Sequence, residues 1–329
     1  MKAWKALLIA AAVTAGAAGL MAGCGGAGGA SSSNGKVQIG IIQPIEHGSL
    51  DASNKGFVAA LKENGYTEAN TDIDQQNAQG DQSNMKNIIS QFVAQKKDLI
   101  LAIGTPPAQV AANDTKDIPI VGTAIYDYVK ANLVKSLDKP GGNVTGTTNA
   151  NPIPAQLDMY RKIVPGAKRI GLLYSSTEVN SQVQAEAVRA YCKEKGLTLV
   201  EATAPSVNDI AQSLQNMVGQ VDFIYLPTDN VMAAAIPQIV AVTDPAKIPV
   251  FAGADEMAKA GVLASYSVNY YEIGHQAGLM AVKILKKEAV PADMPVEGQK
   301  KMNMTINMKD AETLGITIPE EVLKEAIKV

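Results

Sequence analysis

The chain is poor in the residues that most often carry chemistry. Its 329 residues include two histidines, His47 and His275, two cysteines, Cys24 and Cys192, and one tryptophan, Trp4. Two cysteines exclude a disulfide framework as soon as one is used elsewhere. No C-x-x-C, H-E-x-x-H, G-x-S-x-G or Walker-type phosphate loop occurs. Aromatics make up 5% and the formal net charge is −3 with no basic patch, so the basic surface with interleaved aromatics that binds nucleic acid is missing. Beyond residue 22 no apolar run is long enough to span a bilayer. Neither a metal nor a cofactor is expected, and a catalytic role has little material. His275 falls mid-helix and reads as structural. Cys192, in A-Y-C-K, reads as a small buried apolar side chain.

What is present begins at the amino end. Lys2 and Lys5 precede an apolar stretch over residues 6–22, closed by Met21-Ala22-Gly23-Cys24. Residues 1–23 read as a secretory signal peptide. The junction resembles a bacterial lipobox, in which the cysteine is acylated and becomes the first residue. The usual Leu three places before it is Met21 here, with Leu20 one step earlier. A plain signal peptide or an uncleaved anchor is the alternative. Loss of Lys2 and Lys5 takes the mature charge to about −5. Residues 24–35 are a Gly/Ser/Ala tether with a reach of about 18 Å. Several acyl chains on Cys24 would anchor firmly where one binds marginally. The expected location is extracytoplasmic, lipid-anchored to the cell membrane. Gly23 to Gly28 match G-x-G-x-x-G but follow a leader, not a strand, so they form no nucleotide site.

The mature chain alternates strand and helix patterns. Residues 37–42, V-Q-I-G-I-I, break into Gln43, Pro44, Glu46, His47 and Gly48, and Leu50, Phe57 and Leu61 then recur near helical spacing. An edge-like strand follows at 71–76, a helix at 83–95 and a doubly buried strand at 98–103, D-L-I-L-A-I. Gly104-Thr105-Pro106-Pro107 opens the next helix, and 118–121 is a strand. A turn cluster at 139–143, K-P-G-G-N, leads into a Thr-rich extended crossover at 144–151. The rhythm then restarts. Helices are expected at 154–164, 181–195, 207–218 and 231–242, the last running through Pro237. Strands are expected at 169–174, 198–202, 223–226, 249–252 and 262–266. A helix at 271–287 and a strand at 301–307 return to the lobes. The fold class is α/β: two Rossmann-like lobes with parallel sheets, the late elements making additional hinge crossings. The first lobe is expected over 36–147 plus 270–298, the second over 148–269 plus 299–329. Ligands in such sheets bind beyond the carboxyl ends of the strands.

Those strand ends are rich in small polar groups. Gln43, Glu46, Thr105, Thr123, Ser175, Ser176, Thr228, Asp229 and Asp255 all fall there, and Asn180 is grouped with them. Hydroxyls and helix amides suit a carboxylate, and Asp229 or Glu46 suits an ammonium. Together they describe a site for a zwitterion, an amino acid. Leu50, Tyr126, Tyr128 and Tyr266 are candidates for its apolar lining. Thr228 and Asp229 are also placed to cap the helix that follows them. A two-lobed racemase would need a cysteine on each side of the cleft, and the mature chain has no second free one.

The chain resembles the substrate-binding lipoproteins of ABC importers, of the tryptophan/tyrosine type. The resemblance rests on G-I-I-Q-P-I-E-H-G-S-L-D from Gly40, N-A-Q-G-D from Asn77, L-I-L-A-I-G-T-P-P-A-Q from Leu99, P-G-G-N-V-T-G-T from Pro140, Y-L-P-T-D-N from Tyr225, and N-x-x-x-A-x-x-L-G-I-x-I-P from Asn307. It implies a type I periplasmic-binding-protein fold, two lobes joined by a three-segment hinge, that closes on its ligand, and a monomer that delivers the ligand to an ABC permease and its ATPase. It places Gln43, Glu46, His47, Leu50, Thr105, Thr123, Thr228, Asp229 and Tyr266 in the pocket. The chain departs at Ile125-Tyr126-Asp127-Tyr128, where the family pattern has Thr or Ser and then Asp-Pro. Two tyrosines there could narrow the pocket or stack on an aromatic ligand. The ligand expected is tryptophan, tyrosine or phenylalanine. An aliphatic amino acid, another small solute such as a sugar, or a sensor or adhesin role on the same fold is the alternative.

Overall fold

The computed structural model describes residues 35–329. The leader, Cys24 and nearly all of the tether lie outside them. The chain builds two sheets in succession. The first contains β1 (Val37–Gln43), β2 (Thr71–Asn77), β3 (Leu99–Ile103), β4 (Ile120–Ile125) and β5 (Val144–Thr148), connected through α1 (Gly48–Glu63), α2 (Gln82–Ala94) and α3 (Thr105–Asp114). The chain then enters the second lobe through α4 (Ile153–Ile163). There it forms β6 (Arg169–Tyr174), α5 (Val179–Lys195), β7 (Thr198–Thr203), α6 (Ile210–Gln215), β8 (Phe223–Leu226), α7 (Asn230–Ala234), α8 (Ile236–Thr243), β9 (Val250–Ala252), α9 (Asp255–Ala260) and β10 (Ala264–Ser267). α10 (Tyr270–Leu285) and β11 (Glu297–Gly298) return to the first lobe. β12 (Asn303–Ile306), α11 (Met308–Leu314), α12 (Glu320–Leu323) and β13 (Ile327–Lys328) finish the second.

The sheet orders are β11-β5-β4-β3-β1-β2 and β13-β12-β10-β9-β8-β6-β7. Each lobe therefore winds the same way: its first strand has its second on one side and its third on the other. That reversal opens a crevice at the carboxyl ends of β1 and β3, and again at those of β6 and β8. Pairing is parallel throughout except that β12 runs antiparallel to β10. Burial follows position in the sheet. β3 and β8 are buried at every residue, whereas the outer strand β2, T-D-I-D-Q-Q-N, is largely open. The lobes are joined by three short crossings, at 149–152, 268–269 and 299–302.

Two expected elements differ. The stretch 144–151 is not all crossover, because Val144–Thr148 pairs with β4 as a full strand. The helix expected over 231–242 is two helices. Pro237 has no amide to donate back along a continuous helix, so the chain breaks at Ala235 and Pro237 occupies the first turn of α8.

α1 and α10 pack backbone against backbone. A Cβ on Gly274 would stand 2.0 Å from the carbonyl oxygen of Ser53, and one on Gly56 would stand 2.1 Å from that of Tyr271. The Ser53 hydroxyl donates to the Tyr270 carbonyl at 3.0 Å. Alanine usually stabilises a helix interior relative to glycine. At Gly274 the close approach reverses the sign. Gly274→Ala should lower unfolding free energy by about 1–3 kcal/mol, measured by chemical denaturation of the ligand-free protein. A gain in stability would show that the helices can move apart freely.

Candidate functional site

The crevices of the two sheets face one small enclosed space. The first lobe offers the amino end of α1. His47 occupies the cap position: its carbonyl accepts from the Leu50 and Asp51 amides, its side chain makes no capping bond, and the amides of Gly48 and Ser49 have no acceptor among the described residues. A bare helix amino terminus carries unmet donors and partial positive charge, which suits a carboxylate. Ser49 lines the space, is 1% exposed, and its hydroxyl has no partner. Leu50, Ala124 and Tyr126 continue this wall. Tyr126 is held by its hydroxyl, which donates to the Asn151 carbonyl at 3.1 Å, and burial pushes its pKa up to about 12.

The hinge supplies Asn149 and Tyr270. The Asn149 amide nitrogen donates to the Tyr270 hydroxyl at 2.7 Å, leaving its own Oδ1 buried and unpartnered. The second lobe supplies Asn180 from α5, Thr228, Asp229 and Asn230 at the start of α7, and Ala233, Ala254 and Met257. The Asn180 amide nitrogen donates to Glu178 Oε2 at 2.9 Å and to the Thr228 carbonyl at 2.9 Å. Its Oδ1 is therefore the atom left over, and it too has no partner.

One polar contact crosses the cavity directly. His47 Nε2 lies 3.2 Å from Asn230 Oδ1. The Asn230 amide nitrogen is committed to Glu178 Oε2 at 2.8 Å, so Oδ1 is an acceptor and Nε2 carries the proton. His47 Nδ1 is then a bare lone pair without a partner. Burial holds the His47 pKa down to about 4 against the small opposing effects of Asn230 and Asp51. The enclosed volume is about 20 Å³, room for a water but not for an amino acid. The lobes must part to admit a ligand, and flexible Met257 is the wall best able to adjust around one.

The carboxylates are the other notable feature. Asp229 accepts from the Ser175 amide at 2.6 Å, the Ser181 hydroxyl at 2.6 Å and the Met232 amide at 2.9 Å. It caps α7 while lining the cavity, so the capping and pocket readings hold together. Burial raises its pKa despite those donors. Glu178 was not anticipated. It accepts from two of the three cavity asparagines, Asn180 and Asn230, and burial, reinforced by Asp229, pushes its pKa up to about 8.

Of the residues expected in the pocket, His47, Leu50, Tyr126, Asn180, Thr228 and Asp229 line this space. The others do not. Glu46 and Ser176 point into solvent. Gln43 is turned to Asp51, to which it donates at 3.1 Å. Thr123 is buried beneath α10 and bonded to the Thr147 hydroxyl at 3.0 Å. Thr105 and Asp255 begin α3 and α9 and keep unpartnered oxygens, but neither lines the cavity. Tyr266 lies in a separate surface groove beside Met159, Lys162 and Lys301. Tyr128 belongs to the first-lobe core. Its hydroxyl donates to the Thr147 carbonyl at 3.0 Å, in room left by Gly122 and Gly146. Among the described residues the lining contains no lysine or arginine.

Two lobes, three crossings and an enclosed polar cavity between strand ends define a two-lobed solute-binding protein. A family model described as ABC transporter substrate binding protein matches residues 38–329, and the chain belongs to that family. It is 42% identical over 270 residues to a tyrosine-binding protein of Clostridioides difficile (strain R20291), covering 82% of this chain and 78% of that one. A structure from Streptococcus pneumonia, described as an ABC domain in complex with L-Trp, superposes with a TM-score of 0.86 at 42% identity, covering 89% of this chain and 99% of that one. A ligand-free, open structure of a substrate binding protein with adhesive properties from Clostridium difficile is also 42% identical, over 88% and 98% of the chains, but scores 0.67. At equal identity, this chain superposes better on the L-Trp complex than on the ligand-free, open structure. The fold is the type I periplasmic-binding-protein fold, with sheets that are parallel apart from β12.

His47 gives the site a pH signature. Its pKa is lowered in the fold, so its contribution to stability is complete above the ordinary histidine value and is lost as pH falls toward about 4. The melting temperature of the wild type minus that of His47→Gln should therefore rise between about pH 4 and 6.5 and then level off. A flat difference in a fluorimetric pH series would show that His47 stays hydrated in solution.

Proposed function

We propose that this protein captures an aromatic L-amino acid, tyrosine or tryptophan, between its lobes without changing it, and delivers it to an ABC permease and its ATPase. The observation that carries this is the set of buried, unpartnered polar atoms on the cavity wall. Ser49 Oγ sits at an open helix amino terminus. His47 Nδ1, Asn149 Oδ1 and Asn180 Oδ1 are acceptors. Buried polar atoms are normally paired, and a zwitterion supplies the missing partners at both ends. Its carboxylate meets the α1 amides and Ser49, and its ammonium meets the acceptors. The Leu50, Tyr126, Tyr270 and Met257 surfaces receive the side chain. The tyrosine- and L-Trp-binding relatives support the aromatic choice.

The ligand touches both lobes and so favours closure by its greater affinity for the closed state. The first 23 residues are removed, Cys24 is acylated, and a monomer is tethered outside the cytoplasm. A surface role in adhesion is a second reading, favoured by the adhesive properties described for one relative.

Tyrosine or tryptophan should raise the melting temperature of ligand-free mature protein, since a ligand that binds only the folded state stabilises it by mass action. No rise with any of the twenty amino acids would overturn the zwitterion site. A response confined to aliphatic amino acids would overturn the aromatic choice. Ser49→Ala should weaken binding about tenfold by calorimetry, the worth of one hydrogen bond to a charged group. Cys24→Ala should release the protein from the membrane fraction, and retention there would remove the lipid anchor.

A further inference from the structure

Two buried carboxylates stand at the cavity: Asp229 lines it, and Glu178 lies behind the lining residues Asn180 and Asn230, to which it is hydrogen-bonded. Asp229 and Glu178 are 2% and 6% exposed, and among the described residues the lining holds no lysine or arginine. Among the described residues, the neighbouring elements supply the pair with no counter-charge. Across the cleft, His47 is neutral and Asp51 lies behind it. From α9, Lys259 is engaged by Asp255 at 3.5 Å and Glu256 at 2.6 Å. Tyr126 and Tyr270 at the hinge are uncharged, their pKa values raised by burial. Buried charges without partners are neutralised by protonation. Asn180 Oδ1 and Asn149 Oδ1, both buried, face no partner in the same cavity. The chain therefore presents a site with acceptors and negative charge in place and the positive group missing.

The two carboxylates are not equivalent. Asp229 is fixed by two backbone amides and a hydroxyl and caps α7, a setting that favours the ionised form. Glu178 collects the Asn180 amide, the Asn230 amide and the Asn230 backbone N–H on a single oxygen, Oε2. Its other oxygen is left to hold a proton. By binding both asparagine amides through nitrogen, Glu178 also sets which atom each turns outward: Asn180 Oδ1 to the cavity, Asn230 Oδ1 to His47.

We propose that Glu178 is the positioning and charge-setting residue for the ligand's ammonium group, and that capture of an amino acid releases the proton that Glu178 holds in the empty cleft. This rests on the amino acid reading above. The proton balance is simple. The ligand enters with its –NH₃⁺ intact, Glu178 passes from carboxylic acid to carboxylate, and one proton leaves to solvent. The ammonium becomes the counter-ion of the pair. Burial, with Asp229 beside it, pushes the Glu178 pKa up to about 8, which puts the exchange in the neutral range.

The test is calorimetric titration of the mature protein with L-tyrosine or L-tryptophan in two buffers of different ionisation enthalpy. About one proton should be released per ligand near pH 6–7, falling off by about pH 8.5, and Kd should tighten about tenfold for each unit that pH rises up to about 8 and then level off. The des-amino acid of the same ring should release none. Glu178→Gln keeps an oxygen for the three donors, so it should fold and show neither proton release nor the pH slope. In the ligand-free state the wild type should lose stability relative to Glu178→Gln as pH rises from about 4.5 to 8, because an acid with a raised pKa stabilises only while protonated. Binding without proton release, or equal release by the variant, overturns this proposal alone. Failure of every amino acid to bind overturns the ligand reading and this proposal with it.

Discussion

The close contact between α1 and α10 is the constraint on which the site depends. With glycine at 56 and 274, two helices approach until backbone atoms touch. α1 then has one place to begin, and its amino end opens on the cleft. α10 begins at the same point, because Tyr270 is the first residue after the second hinge crossing. The Ser53–Tyr270 bond ties the two starts together. A helix terminus that presents amides to a ligand must hold still, since its worth falls off within one turn. Here it is held by steric contact over several turns and not by a capping side chain, and so the Gly48 and Ser49 amides stay free.

Few polar side-chain contacts hold the lobes closed. His47 to Asn230 is one bond between partly buried groups. Lys130 and Glu186 also meet at 3.3 Å, but both are more than half exposed, and such pairs contribute little in water. The hinge is stitched more firmly. Asn151 donates to the Gly253 carbonyl and accepts from the Val268 amide, joining the first and second crossings. A stiff hinge with weak lobe contacts permits rotation without sliding, and leaves the balance of open and closed forms to the ligand's contacts with both sides.

The sequence made the βα rhythm legible because it is local. D-L-I-L-A-I can only be a doubly buried strand, and T-D-I-D-Q-Q-N only an edge. The loop after β1, with His47 and Leu50, and the loop after β8, with Thr228 and Asp229, could be placed from the strand-end rule. The rule names a loop, not a direction. Tyr266 sits within the last strand of its βα series, between Ser265 and Ser267, which are fully buried. Successive residues of a strand face opposite ways, and that alternation was the available signal that Tyr266 and its neighbours cannot share one face. Tyr128 was misplaced for another reason. Its space is made by Gly122 and Gly146 in neighbouring strands, a fit that exists only after β4 and β5 pair. Glu178, Asn149 and Tyr270 could not be found locally, because each has its role through residues far along the chain.

The cavity's polarity follows from these long-range pairings. An asparagine is ambiguous in isolation, offering donor and acceptor alike. Glu178 removes the ambiguity twice, at Asn180 and at Asn230, and Asn149 donates its amide to the Tyr270 hydroxyl. Three neutral amides thereby turn oxygen outward, two toward the ligand space and one toward His47. That last assignment fixes the histidine proton on Nε2 and leaves Nδ1 as a further acceptor. One lobe thus determines the hydrogen-bonding character of a residue on the other, and does so only while the lobes are closed. Recognition and closure are properties of the same network. A ligand able to satisfy acceptors at one end and helix amides at the other completes the cavity, whereas one that brings only acceptors or only donors leaves buried groups unmet, at a cost comparable to the binding free energy it could gain.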